Sequence, residues 1–100
     1  MTHYVLKLYV SGRTPRTEQA ITGVREICER DLAGFYELDV VDVLEWPQLA
    51  ENEKILATPT LVRELPTPLR RLVGDLSDRK KVLFGLDLSV EEAAAKAGRQ

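Results

Sequence analysis

The feature that most constrains the fold is a strand, a tight turn and a long helix in immediate succession near the start of the chain. Residues 4–10, YVLKLYV, are almost all apolar and rich in β-formers, which predicts a central strand covered on both faces. Thr14 can cap the following helix, and Pro15 can occupy its first position, where a missing N–H costs nothing. The helix is predicted to bury one apolar stripe, formed by Ala20, Ile21, Val24, Ile27, Cys28 and Leu32. Gly34 then marks its end.

A second strand is predicted over residues 35–44, where apolar side chains alternate. One side carries Leu38, Val40 and Asp42, and the other carries Asp39, Val41 and Val43. A helix that connects two such strands forms a βαβ unit with a right-handed connection. The chain is therefore predicted to be an α/β domain.

The second half of the chain is predicted to contain shorter elements. Trp46-Pro47 interrupts the pattern, and residues 47–56 then predict a short helix. Its inward side chains are predicted to be Leu49, Ala50 and Leu56. A strand follows Pro59, a stiff connector carries Pro66 and Pro68, and the apolar run LRRLVG comes next. Another helix is predicted to begin near Ser77 as its cap. Trp46 is predicted to be a partly buried wedge, with an exposed interface anchor as the alternative.

Residues 82–90, VLFGLDLSV, fit two kinds of element equally well. With a period of two, the apolar face of a strand consists of Val82, Phe84, Leu86, Leu88 and Val90. With a period of 3.6, the stripe of a helix consists of Val82, Leu83, Leu86 and Val90. Gly85 would cost a helix interior about 1 kcal/mol relative to alanine. Both interpretations stay open.

Composition indicates an ordinary water-exposed domain. The 100 residues are 44% hydrophobic and 30% charged, which suits one domain, predicted over residues 1–90 with a frayed tail over 91–100. The formal charge of -2 argues against general nucleic-acid affinity. Because no segment reaches the roughly 20 apolar residues of a membrane helix, we expect no membrane partner and a cytoplasmic location.

Candidate catalytic groups are few. The turn at residues 11–14, SGRT, stands about where thioredoxin-like proteins carry their redox cysteines, but it contains none. Cys28, the single cysteine, lies on the apolar stripe of the helix, where it is predicted to be a buried hydrophobe without a base to activate it. His3 is expected to be solvated. We therefore expect no catalytic residue, no metal site and no cofactor, and we predict that the chain is not an enzyme.

Two further features leave alternatives open. Pro59, after a short helix and before a strand, occupies the place of the cis-proline of thioredoxin-like domains, but a trans proline starting an edge strand is an equal alternative. Basic residues form three small clusters: Arg13 with Arg16, Arg70 with Arg71, and Arg79 with Lys80 and Lys81. They predict either a solvated surface or a site for an acidic protein partner.

Three stretches carry a family resemblance: LKLYVSGRTP, VVDVLEWPQLAENEKILATPTL and RRLVGDLSDRKKVLFGLDL. They resemble the circadian clock protein KaiB, and the resemblance runs from about Tyr4 to Leu88. It implies a non-enzymatic regulator that binds the ring-shaped ATPase and autokinase KaiC. It also implies a fold that switches. A thioredoxin-like monomer, β-α-β-α-β-β-α, binds KaiC, and a ground state, β-α-β-β-α-α-β, forms homodimers and homotetramers. The double periodicity of residues 82–90 is then expected.

The resemblance also implies particular residues. For KaiC binding it points to Gln48, Lys54 and Ile55, and for the fold switch to Tyr4, Pro59, Thr67, Gly85, Asp87 and Val90. Glu37 and Asp39 replace a small residue and a base that the family uses to capture the activator KaiA, so KaiA binding is doubtful here. Thr67 interrupts a run of prolines, and Val90 replaces a tyrosine.

Two other functions remain open. A redox-active thioredoxin relative is the enzyme alternative, and the lone Cys28 argues against it. A sensor or interaction module of a KaiC-responsive signalling kinase is the other alternative. The absence of a kinase region in these 100 residues favours a free-standing regulator.

Overall fold

The structure is a computed structural model that describes residues 3–88. Its elements follow the order β-α-β-α-β-β-α, as the binding form of the resemblance implies. Their bounds are β1 Tyr4–Val10, α1 Pro15–Asp31, β2 Tyr36–Asp42, α2 Pro47–Asn52, β3 Thr60–Leu65, β4 Arg70–Val73 and α3 Arg79–Gly85. The predicted α/β class and the predicted βαβ start are confirmed.

The four strands form one mixed sheet in the order β2-β1-β3-β4. β1 pairs in parallel with β2, from Tyr4 opposite Tyr36 to Val10 opposite Asp42. β3 runs antiparallel to both β1 and β4. β1 and β3 are thus central, and β2 and β4 are the outer strands of the part of the sheet that the structure describes.

The first helix begins and ends where the sequence predicts. Thr14 Oγ1 accepts a hydrogen bond from the backbone N–H of Thr17 at 3.1 Å, and Pro15 is the first helical residue. The predicted stripe is buried except for half-buried Ala20. After the helix, Gly34 has φ +82°, which only glycine adopts without strain.

The two faces of the sheet differ in depth. One face forms the main core with α1 and α3, including Leu6, Leu8, Val24, Val82 and Leu86. The other face carries only a small cluster of Tyr9, Val41 and Val62, against which Val43 and Ile55 pack. The region around α2 is therefore thinly covered.

Helix α2 corrects three expectations. It ends at Asn52, not near residue 56, because the chain turns at Lys54, whose φ is 55°. The side chains of Leu49 and Leu56 were expected to point inward, but they are 42% and 95% exposed. Trp46 is 55% exposed, so the alternative of an exposed residue is correct and the wedge interpretation is wrong.

Helix α3 differs from the sequence prediction at both ends. Its cap is Asp78, whose Oδ1 accepts from the N–H of Lys81 at 3.2 Å, while Ser77 donates to Asp75 instead. Gly85 is its last residue and not an interior one. Residues 82–85 are helical here, and the strand alternative and the ground-state packing stay predictions. Val90 and the tail 91–100 lie outside the described residues.

An ion pair joins the ends of the two helices on the main core. Arg79 donates from Nε to Asp31 Oδ2 at 2.7 Å and from Nη2 to Asp31 Oδ1 at 2.6 Å. The Asp31 side chain is only 5% exposed. The carboxylate is therefore satisfied by a two-point contact, which fixes α3 relative to α1.

Candidate partner-binding surface

The turns that precede α1 and α2 are held together by one carboxylate. Asp42, at the end of β2, accepts hydrogen bonds at Oδ1 from the N–H of Gly12 at 3.0 Å and from the N–H of Leu44 at 2.9 Å. The bonds to Gly12 and Leu44 lower the pKa of Asp42 below its ordinary value. The two turns at the carboxyl ends of β1 and β2 therefore form one rigid edge.

Helix α2 continues this edge with side chains that face solvent. Pro47 is its first residue, and Gln48 Nε2 donates to Asn52 Oδ1 at 2.8 Å along the outer side of the helix. None of the six residues of α2 is buried. Residues 44–49, 51, 52, 54 and 56 are exposed here, and from them we define the α2 surface as Leu44, Trp46, Gln48, Leu49, Lys54 and Leu56.

The end of α2 is a tight reversal. The N–H of Lys54 donates to the carbonyl of Glu51 at 3.1 Å, and the N–H of Ile55 donates to the carbonyl of Ala50 at 2.9 Å. These two bonds form a Schellman motif, in which the residue after the helix cap is left-handed and is usually glycine. Here that residue is Lys54. The reversal leaves the Lys54 side chain exposed and turns Ile55 onto the small cluster under the sheet.

Strand β4 supplies the other contact to this reversal. Arg71 Nη2 donates to the carbonyl of Glu53 at 2.5 Å, and Arg71 Nη1 donates to the carbonyl of Lys54 at 3.1 Å. A guanidinium is well suited to two neighbouring acceptors because its donors form a planar fork. The end of α2 is thus attached to the edge of the sheet.

The predicted partner-binding residues lie within one short segment. Gln48 and Lys54 are exposed, whereas Ile55 is half-buried and packs on the small cluster, so its accessible part is limited. The sequence reasoning named Trp46 as an alternative exposed anchor but missed Leu44, Leu49 and Leu56. The available signal was an apolar content of residues 44–56 that exceeds what a six-residue helix can bury.

The turn at residues 11–14 borders a cleft of about 480 Å³. Its walls include Ser11, Thr14, Pro59 and Ser77, and the Thr58–Pro59 peptide bond is cis, as one of the two alternatives had it. Cys28 lies elsewhere, buried on α1, where burial raises the pKa of its thiol to about 11. Among residues 3–88 no three histidine, cysteine, aspartate or glutamate side chains form a group suited to a metal ion.

The predicted fold-switch residues are dispersed, but one contact joins two of their regions. Tyr4 is buried at the start of β1, and Thr67 lies between two cis prolines in the β3–β4 connector. Arg63, which the sequence reasoning missed, donates to the carbonyl of Pro68 at 2.8 Å and to the carbonyl of Asp87 at 3.0 Å. It thereby attaches the end of α3 to that connector.

Comparison with known proteins gives the family. A sequence model described as the KaiB domain matches residues 7–88. A "Circadian clock oscillator protein KaiB" of Prochlorococcus marinus is 61% identical over 89 residues, which cover 89% of this chain and 76% of that protein. The chain belongs to the KaiB family. A relative of the same name from Trichodesmium erythraeum is 60% identical and covers 89% of this chain and 86% of that protein.

Solved structures agree with a thioredoxin-like fold. The N-terminal domain of Synechococcus elongatus SasA superposes with a TM-score of 0.67 at 25% identity, covering 100% of this chain and 88% of that domain. Chloroplastic thioredoxin z superposes with a TM-score of 0.69 at 17% identity, covering 90% of this chain and 80% of the other, and it supports the fold alone.

The names of the KaiB relatives support a role as a clock regulator. They are names of clock proteins and not of enzymes. Within residues 3–88, no helix is long and apolar enough to cross a membrane.

Proposed function

We propose that this KaiB-family chain is a non-enzymatic timing regulator that binds a KaiC-type hexameric ATPase and autokinase ring through its α2 surface. Binding would modulate the phosphorylation or ATPase state of the ring. The observation that carries the proposal is the exposed apolar edge formed by α2 and the turn before it. The family resemblance points to the same segment independently.

The apolar part of the α2 surface favours protein binding over simple solvation. Leu44, Trp46 and Leu56 are 69%, 55% and 95% exposed, and they lie within thirteen residues of the chain. Exposed apolar side chains that cluster mark interaction sites more often than scattered ones do, and tryptophan is enriched among the residues that dominate binding energy. Lys54 is the one basic residue of the segment 44–56, which also exposes Glu45 and Glu51, and its positive charge suits an acidic group on the partner.

The same proposal excludes a KaiA-like activator from the complex. Glu37 and Asp39 are both exposed on the outer strand β2, and Glu37 Oε2 lies 3.0 Å from His3 Nε2. Like charges brought together at an interface can cost several kcal/mol, so an acidic β2 disfavours a partner that has evolved to meet a base there. A stable complex of ring, this chain and KaiA on gel filtration would contradict this part of the proposal.

We further propose a cytoplasmic protein that exchanges between a homodimer or homotetramer and a monomer that binds the ring. The α2 surface described here belongs to the thioredoxin-like arrangement. If only that arrangement binds, complex formation should draw protomers out of the oligomer, because binding to one state shifts the equilibrium toward it.

Gel filtration of the chain with its cognate KaiC-type ring, in ATP or in ADP, tests the proposal directly. We expect co-elution for the wild type and an affinity lower by about tenfold for Lys54→Glu, since one rim charge contacts the partner. Lys80→Glu is the matched control, because Lys80 is also exposed but lies on α3, on the opposite face of the sheet. Far-ultraviolet circular dichroism should be unchanged in both variants. Equal affinity for all three proteins would remove Lys54 from the interface.

The likeness to the SasA domain favours one second candidate, an interaction module that acts on a signalling kinase. Direct titration of the chain against the ring alone separates the two, since a module that needs the kinase would not bind the ring by itself. The redox alternative predicts reduction of insulin in the presence of dithiothreitol. With Cys28 buried and its thiol pKa raised to about 11, we expect a rate at background.

A further inference from the structure

We propose that Arg71 is a positioning residue for the α2 surface: its guanidinium fixes the reversal after α2 and so determines where Lys54 is presented to a partner. The inference rests on the proposed function for its binding consequence, but the positioning itself can be measured without any partner. Arg71 is not one of the predicted partner-binding residues Gln48, Lys54 and Ile55.

Two pairs of carbonyls at the end of α2 accept hydrogen bonds from different donors. The Schellman bonds satisfy the carbonyls of Ala50 and Glu51, which accept from Ile55 and Lys54. The carbonyls of Glu53 and Lys54 lie beyond those bonds, and both accept from Arg71. A helix end carries excess negative potential, so a cation that donates to its carbonyls is doubly favourable. Arg71 thus supplies the donors for the two carbonyls that follow those bound in the Schellman motif.

The backbone at Lys54 gives the reversal a reason to need this support. Its φ of 55° lies in the left-handed region, which is unfavourable for a residue with a Cβ. Helix α2 contributes little to hold it, because none of its six residues is buried and its N-cap makes no side-chain hydrogen bond. The reversal is therefore held by the Schellman bonds, by Ile55 on the small cluster and by Arg71.

The register of the sheet explains why Arg71 and not its neighbour makes these contacts. Arg71 lies opposite Val62 on β3, and Val62 belongs to the small cluster on the α2 face. Arg70 lies opposite Arg63, one residue along the strand, so its side chain is on the other face. Arg70 and Arg71 are both exposed and both basic, which makes Arg70 a matched control.

Amide hydrogen exchange in the free protein tests the positioning. We expect Arg71→Ala to speed exchange at the amides of Lys54 and Ile55 by about tenfold, as the loss of two charge-assisted hydrogen bonds implies. Arg70→Ala should leave both amides at the wild-type rate. Arg71→Lys keeps the charge but not the planar fork, so its exchange should resemble Arg71→Ala more than the wild type. Wild-type exchange in Arg71→Ala would overturn the proposal.

Binding to the ring tests the consequence. We expect Arg71→Ala to weaken binding about as much as Lys54→Glu does, with Arg70→Ala unchanged. Faster exchange in Arg71→Ala with unaltered affinity would overturn the claim that the reversal presents Lys54. Lack of binding by the wild type would instead refute the proposed function, and the exchange result would still decide whether Arg71 holds the reversal. Lys54→Gly, which removes the backbone penalty, should return Ile55 exchange toward the wild-type rate in the Arg71→Ala background.

Discussion

The two short helices, α2 and α3, end in the same way but in different surroundings. Each ends in a reversal with a non-glycine residue in the left-handed conformation, Lys54 with φ 55° and Asp87 with φ 51°. At α3, the N–H of Asp87 donates to the carbonyl of Phe84 at 3.1 Å and that of Leu88 donates to Leu83 at 2.9 Å. The bonds at α2 have the same spacing. The motif is therefore common to both helices.

An arginine from the β3–β4 hairpin completes each end, and the two arginines differ in burial. Arg71 is exposed, whereas Arg63 is 4% exposed and donates to the carbonyls of Asp87 and Pro68. Within residues 3–88, Arg63 Nε has no hydrogen-bond partner. A buried cation held by carbonyls alone is expensive to desolvate.

The two helix ends are suited to different roles. Around α3 the side chains of Val82, Leu86 and Leu88 are buried in the main core. The end of α3 is therefore attached to the interior of the domain. Around α2 nothing of the helix is buried, so its end joins the sheet to an exposed surface. The same capping arrangement therefore attaches α3 to the core and presents the exposed surface at α2.

The largest effect on the free energy of unfolding is expected at Arg63. Arg63→Ala removes a side chain that is 4% exposed and leaves the carbonyls of Pro68 and Asp87 without their donor, and we expect a loss of about 3 kcal/mol in the free energy of unfolding. Urea unfolding followed by circular dichroism measures it. Arg71→Ala should lose only about 1.4 kcal/mol, the equivalent of a tenfold change in exchange, because water replaces the donor at an exposed site. Equal losses would show that burial does not distinguish the two ends.

Glycine at the left-handed positions gives a smaller effect. Asp87→Gly and Lys54→Gly should each stabilise this arrangement by about 1 kcal/mol, because glycine adopts positive φ without a Cβ clash. Asp87→Arg relieves the unfavourable charge at the helix end but keeps the backbone penalty, so it should gain less than Asp87→Gly. Thermal unfolding orders the three variants, and a larger gain for Asp87→Arg would make the charge the dominant cost.

Gly85→Ala changes the stability of α3 alone. A helix-interior glycine would cost about 1 kcal/mol relative to alanine, but Gly85 is the last residue of α3. An added Cβ would also lie 3.2 Å from Leu72 Cδ1. We expect a gain well below about 1 kcal/mol, and the rate of association with the ring should rise only in proportion. A tenfold faster association would show that Leu72 yields freely and that residue 85 controls the population of the binding form.

Acid should give the smallest effect on the α2 side. Because the folded pKa of Asp42 is lowered, its contribution to stability is present above its unfolded pKa and disappears as the pH falls through the folded value. Amide exchange at Gly12 and Leu44 should therefore quicken as the pH drops below about 4, after correction for intrinsic exchange. Asp42→Asn should remove that extra pH dependence.

Local patterns predicted the parts of the fold that local forces determine. The apolar stripe of α1, the Thr14 cap and the alternation in β2 are visible within a few residues, and all three are confirmed. The inward placement of Leu49 and Leu56 was wrong because α2 ends at Asn52 and the chain reverses at Lys54, so the helical pattern does not continue to residue 56. The ambiguity of residues 82–90 could not be resolved from the sequence, since both periods place Val82, Leu86 and Val90 on the apolar face and differ only in which other apolar side chains join them.

The two arginines could not be found from the sequence because their acceptors are backbone carbonyls far along the chain. Arg63 reaches Asp87 across 24 positions, and Arg71 reaches Lys54 across 17. Carbonyls carry no sequence signature, so only the tertiary arrangement reveals the contact. The sequence therefore located the segment of the α2 surface but not the arginine contact that holds it.

The outer strand β2 has a consequence for how concentrated solutions of this protein behave. Its seven residues leave one row of backbone donors and acceptors without a partner strand among residues 3–88. Such a row is a template for sheet growth and, ultimately, for cross-β fibrils. Two copies that paired along β2 would bring Glu37 and Asp39 against the same two carboxylates. The acidic pair therefore acts as an aggregation gatekeeper, and removing its charge should turn a protected edge into an adhesive one.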